Sequence, residues 1–315
     1  MNWGIIGAAR IAKSALVPAI REAGGTVHTV SARDPKKAAQ FAQENHIPNS
    51  SSYEELLDHP DIEVVYVPLP NSEHLEWTVK ALEAGKHVLC EKPLTLSADQ
   101  ARRMMDAQQK SGKLVLEAFS YRFHPQVQRM LDVLKEGKIG DIRLMRSVFT
   151  FPLDRPDDIR WDARLGGGAF YDVGSYCVDL MRLVTREVPQ QVHVSALKTE
   201  GEVDITLGAL LEFSSCQGQL LCSFEMPFQQ SFEVFGTKGS LQLEAPFAID
   251  NYESHLTVNG QAETFDKINV YAEMVRHFQQ AIRGETELRF PIQDHSLQQM
   301  LILDRVLNAT NHPRV

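Results

Sequence analysis

The first 120 residues alternate short apolar runs with helix-like ones, and this alternation constrains the fold more than any other feature of the chain. "NWGIIG", "TVHTVSA", "IEVVYVPLP", "HVLCEKP" and "LVLEAFS" read as strands. Between them, "AKSALVPAIREAG", "DPKKAAQFAQENH", "SYEELLDHP", "EHLEWTVKALEAG" and "SADQARRMMDAQQKSG" read as helices. Asp34 and Ser97 are the expected N-caps, Pro35 stands at the first helical position, and Gly24-Gly25 is a stop. Short strands that are apolar on both faces and joined through helices predict a parallel sheet covered on both sides. Residues 1–120 are therefore the expected first domain.

Residues 121–315 follow another pattern. "PQVQRMLDVLKEG" and "AFYDVGSYCVDLMRLVT" read as helices and "IRLMRSVFTF" as a strand. Then "QVHVSALK", "ITLGALLEF", "GQLLCSFEM", "QSFEVFG", "GSLQLE" and "SHLTVN" follow with turn signals such as "TKG" and "VNG" between them. Strands in succession with few helices predict an open, largely antiparallel sheet, so an α+β domain. Terminal helices are expected near 269–283 and 293–309, the last packing back on the first domain.

The net charge of −9 argues against a nucleic-acid partner, which needs a basic stripe, but leaves room for an anionic ligand, since local fields matter more than the total. The opening "MNWGIIGAARIAKS" lacks a charged segment followed by a long apolar core, and no stretch approaches a membrane span. A cytoplasmic protein with no membrane partner is expected. Cys90, Cys177, Cys216 and Cys222 form no C-x-x-C, and no His/Cys pair has zinc-like spacing. Free thiols and no metal are the expectation.

"GIIGAARIA" joins the first strand to the first helix. It follows the G-x-G-x-x-G/A fingerprint of dinucleotide-binding Rossmann domains with one departure: Gly7 makes the tight turn and Ala12 the close helix contact, but Ala9 stands where the middle glycine usually admits a pyrophosphate. Arg10 and Ile11 complete the loop, and the phosphate belongs at the helix N-terminus. At the end of the second strand, "VSARDP" puts Ser31 where NAD-binding folds usually carry an acid for the ribose hydroxyl, with Arg33 two residues on. A hydroxyl and a guanidinium suit a 2'-phosphate. NADP(H) is therefore expected in preference to NAD(H); the alternative is a solvated Arg33, with Asp34 reaching the ribose.

With the loop, "EKP" at Glu91–Pro93 and "LGGGAFYDVGSYCVD" together, the chain resembles the Gfo/Idh/MocA oxidoreductase family over nearly its whole length. "EAFSYRFHPQ" and Tyr176 point to the branch with glucose-fructose oxidoreductase, NADP-dependent D-xylose dehydrogenase and dimeric dihydrodiol dehydrogenase. The resemblance implies that Lys92 lies beside the nicotinamide and the substrate hydroxyl, and that Asp172 and Tyr176 form the D-x-x-x-Y pair. It implies that Pro68, Leu69, Asn71 and His74 cross the cofactor, that Arg160 and Trp161 approach the nicotinamide, and that Tyr271 is a further tyrosine near that ring. Arg122 is an additional substrate candidate. A homodimer, or a dimer of dimers, through the second domain's sheet is also implied.

Asp172 and Tyr176 are four residues apart and share a helix face. A phenol titrates near about 10, too high for a base at neutral pH, but a neighbouring ammonium favours its ionised form. The expected chemistry has Tyr176 taking a hydroxyl proton, Lys92 lowering the phenol's pKa and stabilising alkoxide charge, and Asp172 orienting the substrate. Lys92 as the direct proton carrier is the alternative, and Glu91 either orients the lysine or touches the cofactor ribose. The function expected is hydride transfer between nicotinamide and a sugar or polyol. The rivals are a trans-dihydrodiol dehydrogenase, an anhydrosugar reductase, a transhydrogenase that keeps its cofactor, and a non-catalytic NADPH-sensing regulator.

Overall fold

A computed structural model describes residues 1–198 and 203–310. Two compact units emerge from it: Met1–Ser120 with Tyr271–Leu297, and Tyr121–Val270 with the chain from Gln298 on.

The first unit is built on β1 (Asn2–Ile6), β2 (Thr26–Ser31), β3 (Asn49–Ser51), β4 (Val64–Val67), β5 (His87–Cys90) and β6 (Val115–Glu117). Among the described residues they form one sheet in the order β3-β2-β1-β4-β5-β6, with every pair parallel. That order is the doubly wound Rossmann arrangement, with its crevice where the order reverses, at the carboxyl ends of β1 and β4. The central strands are buried on both faces, as their unbroken apolar runs require.

Helices α1 (Val17–Glu22), α2 (Pro35–Glu44), α3 (Tyr53–Asp58), α4 (His74–Glu83) and α5 (Ala98–Ser111) fill the crossovers. Asp34 caps α2 by accepting from Lys36 N at 2.9 Å, with Pro35 at the first position. Ser52 and Glu55 form a reciprocal capping box on α3. Ser97 caps α5, accepting from Gln100 N.

The second unit contains α6 (Pro125–Lys135), β7 (Ile142–Thr150) and α7 (Ser175–Thr185), followed by β8 (Gln191–Lys198), β9 (Asp204–Glu212), β10 (Gln217–Ser223), β11 (Gln229–Gly236), β12 (Gly239–Leu243), β13 (Ser254–Val258) and β14 (Gln261–Phe265). Among the described residues these strands form an eight-stranded sheet ordered β14-β13-β12-β11-β7-β10-β9-β8. Its pairs are antiparallel except β7 with β10. The expected open, largely antiparallel sheet is what forms.

Helix α8 (Val270–Ile282) belongs almost wholly to the first unit, where Phe278 meets the fully buried Trp3 edge to face at 6.3 Å. Helix α9 (Ser296–Ala309) begins at the junction and continues in the second unit.

Two short strands escape the sequence reading. β3 is a polar "NSS" at a sheet edge, and β14 is an edge strand of mostly exposed residues. Neither carries the apolar alternation by which strands are recognised. The helices after β1 and before α7 also open as π-helical turns, at Ala12–Leu16 and Phe170–Gly174. π turns inside helices are frequent at functional sites. Among the described residues no helix is long and apolar enough to cross a membrane.

Candidate active site

The phosphate loop follows from β1. Gly7 has φ +119°, and a Cβ there would come within 3.0 Å of Leu69 Cδ2, so only glycine fits. Its N–H donates to Ser31 O at 2.8 Å, tying the loop to the end of β2. The helix begins at Arg10, which is exposed, while Ala9 and Ile11 are half-buried. This is a backbone cradle at a helix N-terminus, the kind of site that takes a pyrophosphate.

At the end of β2 the structure separates the two residues expected to read the 2'-phosphate. The Ser31 side chain is fully buried and its hydroxyl donates to Ile5 O at 3.2 Å. The Ser31 hydroxyl is thus committed to the sheet. The Arg33 side chain is 75% exposed and pairs loosely with Glu73 at 3.6 Å. It opens on a cavity of about 600 Å³ lined also by Ser50, Ser51, Ser52 and Tyr53. Burial raises the pKa of Tyr53, and Glu73 adds to the rise. Those serines went unrecognised because β3 reads as a turn; the signal was three hydroxyls in a row, placed beside Arg33 by β2–β3 pairing.

The loop after β4 is held by His74. This histidine is fully buried, with Nδ1 2.9 Å from Pro93 O and Nε2 2.9 Å from Leu69 O. It clamps the loop carrying Pro68, Leu69 and Asn71 to the loop carrying Lys92. No part of His74 reaches solvent, and both ring nitrogens face carbonyls. Burial lowers its pKa, against the two carbonyls that raise it. Pro68 and Leu69 are also buried, Leu69 within the apolar core, whereas Asn71 stays half-buried.

Lys92 follows the end of β5 and is half-buried, as is Glu91. Glu91 accepts from Tyr66 Oη at 2.6 Å and from Lys92 N at 3.2 Å. Burial raises the pKa of Tyr66 well above the usual phenol value, and Glu91 adds to the rise. Glu91 thus ties the lysine's backbone to β4. Tyr271, on α8, lies in the same unit and close enough to Tyr66 to raise its pKa further.

In the second unit, "LGGG" does what a tight entry demands. Gly168 has φ +110°, and a Cβ there would collide with Asp204 Oδ1. Asp204 Oδ2 accepts from Phe170 N at 2.7 Å and fixes the start of the π turn. Asp172 lies in that turn and Tyr176 one residue into α7.

Arg160 Nε donates to Asp172 Oδ2 at 2.6 Å, and Arg160 also holds Asp158. Burial alone would lower the Arg160 pKa; the carboxylates of Asp172 and Asp158 outweigh it and raise the pKa. Arg160 thus orients the Asp172 carboxylate. Trp161 Nε1 donates to Arg155 O at 2.8 Å and its ring packs on Phe224. The Tyr176 ring sits among Tyr121, Phe149 and Phe247, with centroids 5.4–5.7 Å away.

Arg122, the additional substrate candidate, lies in the interior of the second unit. Its side chain is fully buried and bound to Asp179 through Nε at 2.8 Å and through a second nitrogen, and it also donates to Gln299 Oε1 at 3.2 Å. Tyr121 Oη donates to the same Asp179. The network anchors α7.

A Rossmann crevice in one unit and an acid–tyrosine helix beside an open sheet in the other define a class, the two-domain nicotinamide-dependent oxidoreductases. The model of an oxidoreductase family with an NAD-binding Rossmann fold matches residues 1–119, and that of the GFO/IDH/MocA C-terminal domain matches residues 127–242. The chain belongs to the Gfo/Idh/MocA family.

D-xylose 1-dehydrogenase (NADP(+)) 2 of Haloferax volcanii is 36% identical over 91% of this chain and 90% of the relative. Mouse trans-1,2-dihydrobenzene-1,2-diol dehydrogenase is 32% identical over 84% of this chain and 80% of its own. The structure of KijD10, a 3-ketoreductase from Actinomadura kijaniata in complex with NADP and TDP-benzene, superposes with a TM-score of 0.88 at 32% identity, covering 98% of this chain and 97% of that one.

Proposed function

We propose that this protein is an NADP(H)-dependent oxidoreductase that moves a hydride between nicotinamide and a hydroxyl or carbonyl of a sugar or related polyol, in the manner of an aldose 1-dehydrogenase. The observation that carries the reading is the Asp172–Tyr176 pair, held on a helix entrance by Asp204 and Arg160, in a chain of this family. Bound NADP+ would supply the hydride acceptor. Gly7, Ala9, Arg10 and Ile11 would hold its pyrophosphate, and the exposed Arg33 its 2'-phosphate. Asn71, Glu91, Trp161 and Tyr271 remain the proposed further cofactor contacts.

Tyr176 takes the substrate proton, Lys92 stabilises the oxygen's developing charge, and Asp172 accepts a hydrogen bond from a neighbouring hydroxyl. Arg160 acts through Asp172, as a positioning residue.

A second reading, oxidation of trans-dihydrodiols, is supported by the 32% identity to mouse trans-1,2-dihydrobenzene-1,2-diol dehydrogenase. A cytoplasmic location fits the four free, buried cysteines. A homodimer through the second unit's sheet is proposed from the family resemblance; Leu197, on β8 of that sheet, is an exposed large apolar side chain that such an interface would cover.

The test offers NADP+ or NAD+ with aldoses, polyols and trans-dihydrodiols to wild type and Lys92→Met, following cofactor absorbance. Turnover with NADP+ that the variant loses by at least about 10²-fold supports the reading, since general acid–base groups contribute at least that much. Near-wild-type turnover in Lys92→Met removes the lysine from the chemistry. NADPH binding with no turnover on any substrate leaves a sensor.

A further inference from the structure

β2 pairs with β1 through an irregular register. Trp3 pairs with Val27 but Gly4 with Thr29, so His28 is an extra residue on its strand. Bulges are rare between parallel strands, and they re-aim a side chain. Here the His28 ring meets that of His59, from the loop after α3, with centroids 4.5 Å apart. Asp61 follows two residues later. One ligand atom from each of His28, His59 and Asp61 falls within 4.8 Å of the other two.

From this we propose that His28, His59 and Asp61 form a binding site for a divalent transition metal of the zinc, cobalt or nickel type. Two imidazoles and a carboxylate without thiolate suit these ions rather than calcium or magnesium. At zinc bond lengths of about 2.0–2.2 Å, tetrahedral ligand atoms lie about 3.4 Å apart. The three groups close that gap by side-chain rotation, and Asp61, which is exposed, moves most freely.

His28 Nδ1 lies 2.8 Å from Thr29 Oγ1. With Nδ1 donating, Nε2 is left as the acceptor, the arrangement by which a second contact orients a metal-bound histidine. His59 Nδ1 accepts from Asp61 N at 3.2 Å, a long bond that ligation through that atom replaces. Lys86 lies beside the cluster, its Nζ donating to His59 O at 2.7 Å. Lys113, Asp58 and Asp61 all act on Lys86, so two carboxylates balance the two ammonium groups of the neighbourhood. The fourth coordination position falls to water. The site lies toward the amino ends of the strands, away from the phosphate loop, and takes no part in hydride transfer.

The experiment titrates the chelator-treated full chain with Co(II) and Zn(II), reading the cobalt visible spectrum, calorimetric stoichiometry and thermal melting. Wild type is expected to bind one ion per chain and to melt higher with zinc. His28→Gln, His59→Gln and Asp61→Asn should each weaken binding at least tenfold while melting like wild type in chelator. Asp61→Asn keeps the test valid should a histidine variant misfold. No binding by wild type, or unchanged binding in the His28→Gln/His59→Gln double variant, overturns the proposal.

Discussion

Asp179→Asn should be among the most damaging conservative changes in the second unit. Both Asp179 oxygens are engaged by Arg122, Tyr121 donates to one of them, and the Arg122 and Asp179 side chains have no exposed surface. Asparagine keeps the shape but strands the guanidinium with no counter-charge. Removing one partner of a buried ion pair costs about 3–5 kcal/mol, whereas replacing both by apolar residues is often neutral or stabilising. For a unit of this size that corresponds to a melting drop of about 6–20 °C. Tyr121, pushed well above the usual phenol pKa by burial and then by Asp179, stays neutral in either case.

The assay is thermal and denaturant unfolding of wild type, Asp179→Asn and the double variant Arg122→Met/Asp179→Leu, with turnover measured below each transition. Asp179→Asn should fall by the full amount and the double variant should recover most of it. Recovery of stability without recovery of turnover would mean that the network also sets Tyr176, one turn earlier on α7 and in ring contact with Tyr121. A single variant within about 1 kcal/mol of wild type would refute the argument, because the charge would then have found water.

Arg33→Ala should raise the NADP+ KM about tenfold with little effect on NAD+, the loss of one charge-assisted contact; Ser31→Ala should leave the ratio of the two unchanged, since its hydroxyl faces the sheet. His74→Leu should cost about 1–3 kcal/mol in thermal unfolding by leaving a buried carbonyl without its donor, and should lower turnover by loosening the Lys92 loop. Burial holds His124 and His277 near about 4, the latter aided by Arg289, while an unfolded histidine titrates near about 6.5. The unfolded chain therefore binds protons first as pH falls. Stability should be complete above pH about 6.5 and decline toward pH about 4, by up to about 1.4 kcal/mol per pH unit for each histidine. His124→Asn, which keeps the helix cap, should flatten that decline in urea melts.

The fold was readable because its determinants are local. Unbroken apolar runs, Asp34, Ser97 and the glycine stops each act within one turn of themselves, and they place the sheet without knowledge of distant partners. The site was readable only as far as motifs reach. "GIIGAARIA", "EKP" and the Asp172–Tyr176 spacing mark which residues to look at, but not where neighbours steer them. Ser31 shows the difference: its place in sequence suits a phosphate, yet strand alternation turns its hydroxyl to Ile5 O. Arg122 and Asp179 are 57 residues apart, and nothing in either segment announces the other. The run "NSSS" carries no apolar signal, and β2–β3 pairing alone brings it beside Arg33.

The assignment of Tyr271–Leu297 to the first unit has a consequence during synthesis. The six-strand sheet is complete once Glu117 has been made, but the helix bearing Phe278 is encoded about 150 residues later. At about 5–20 residues per second the ribosome takes roughly 8–30 s to deliver it. Throughout that interval Trp3 lacks the aromatic edge that covers it in the finished protein. The nascent sheet must wait with an apolar flank open, so truncations before residue 270 should be captured by chaperones far more than the full chain, although every strand of that sheet is present.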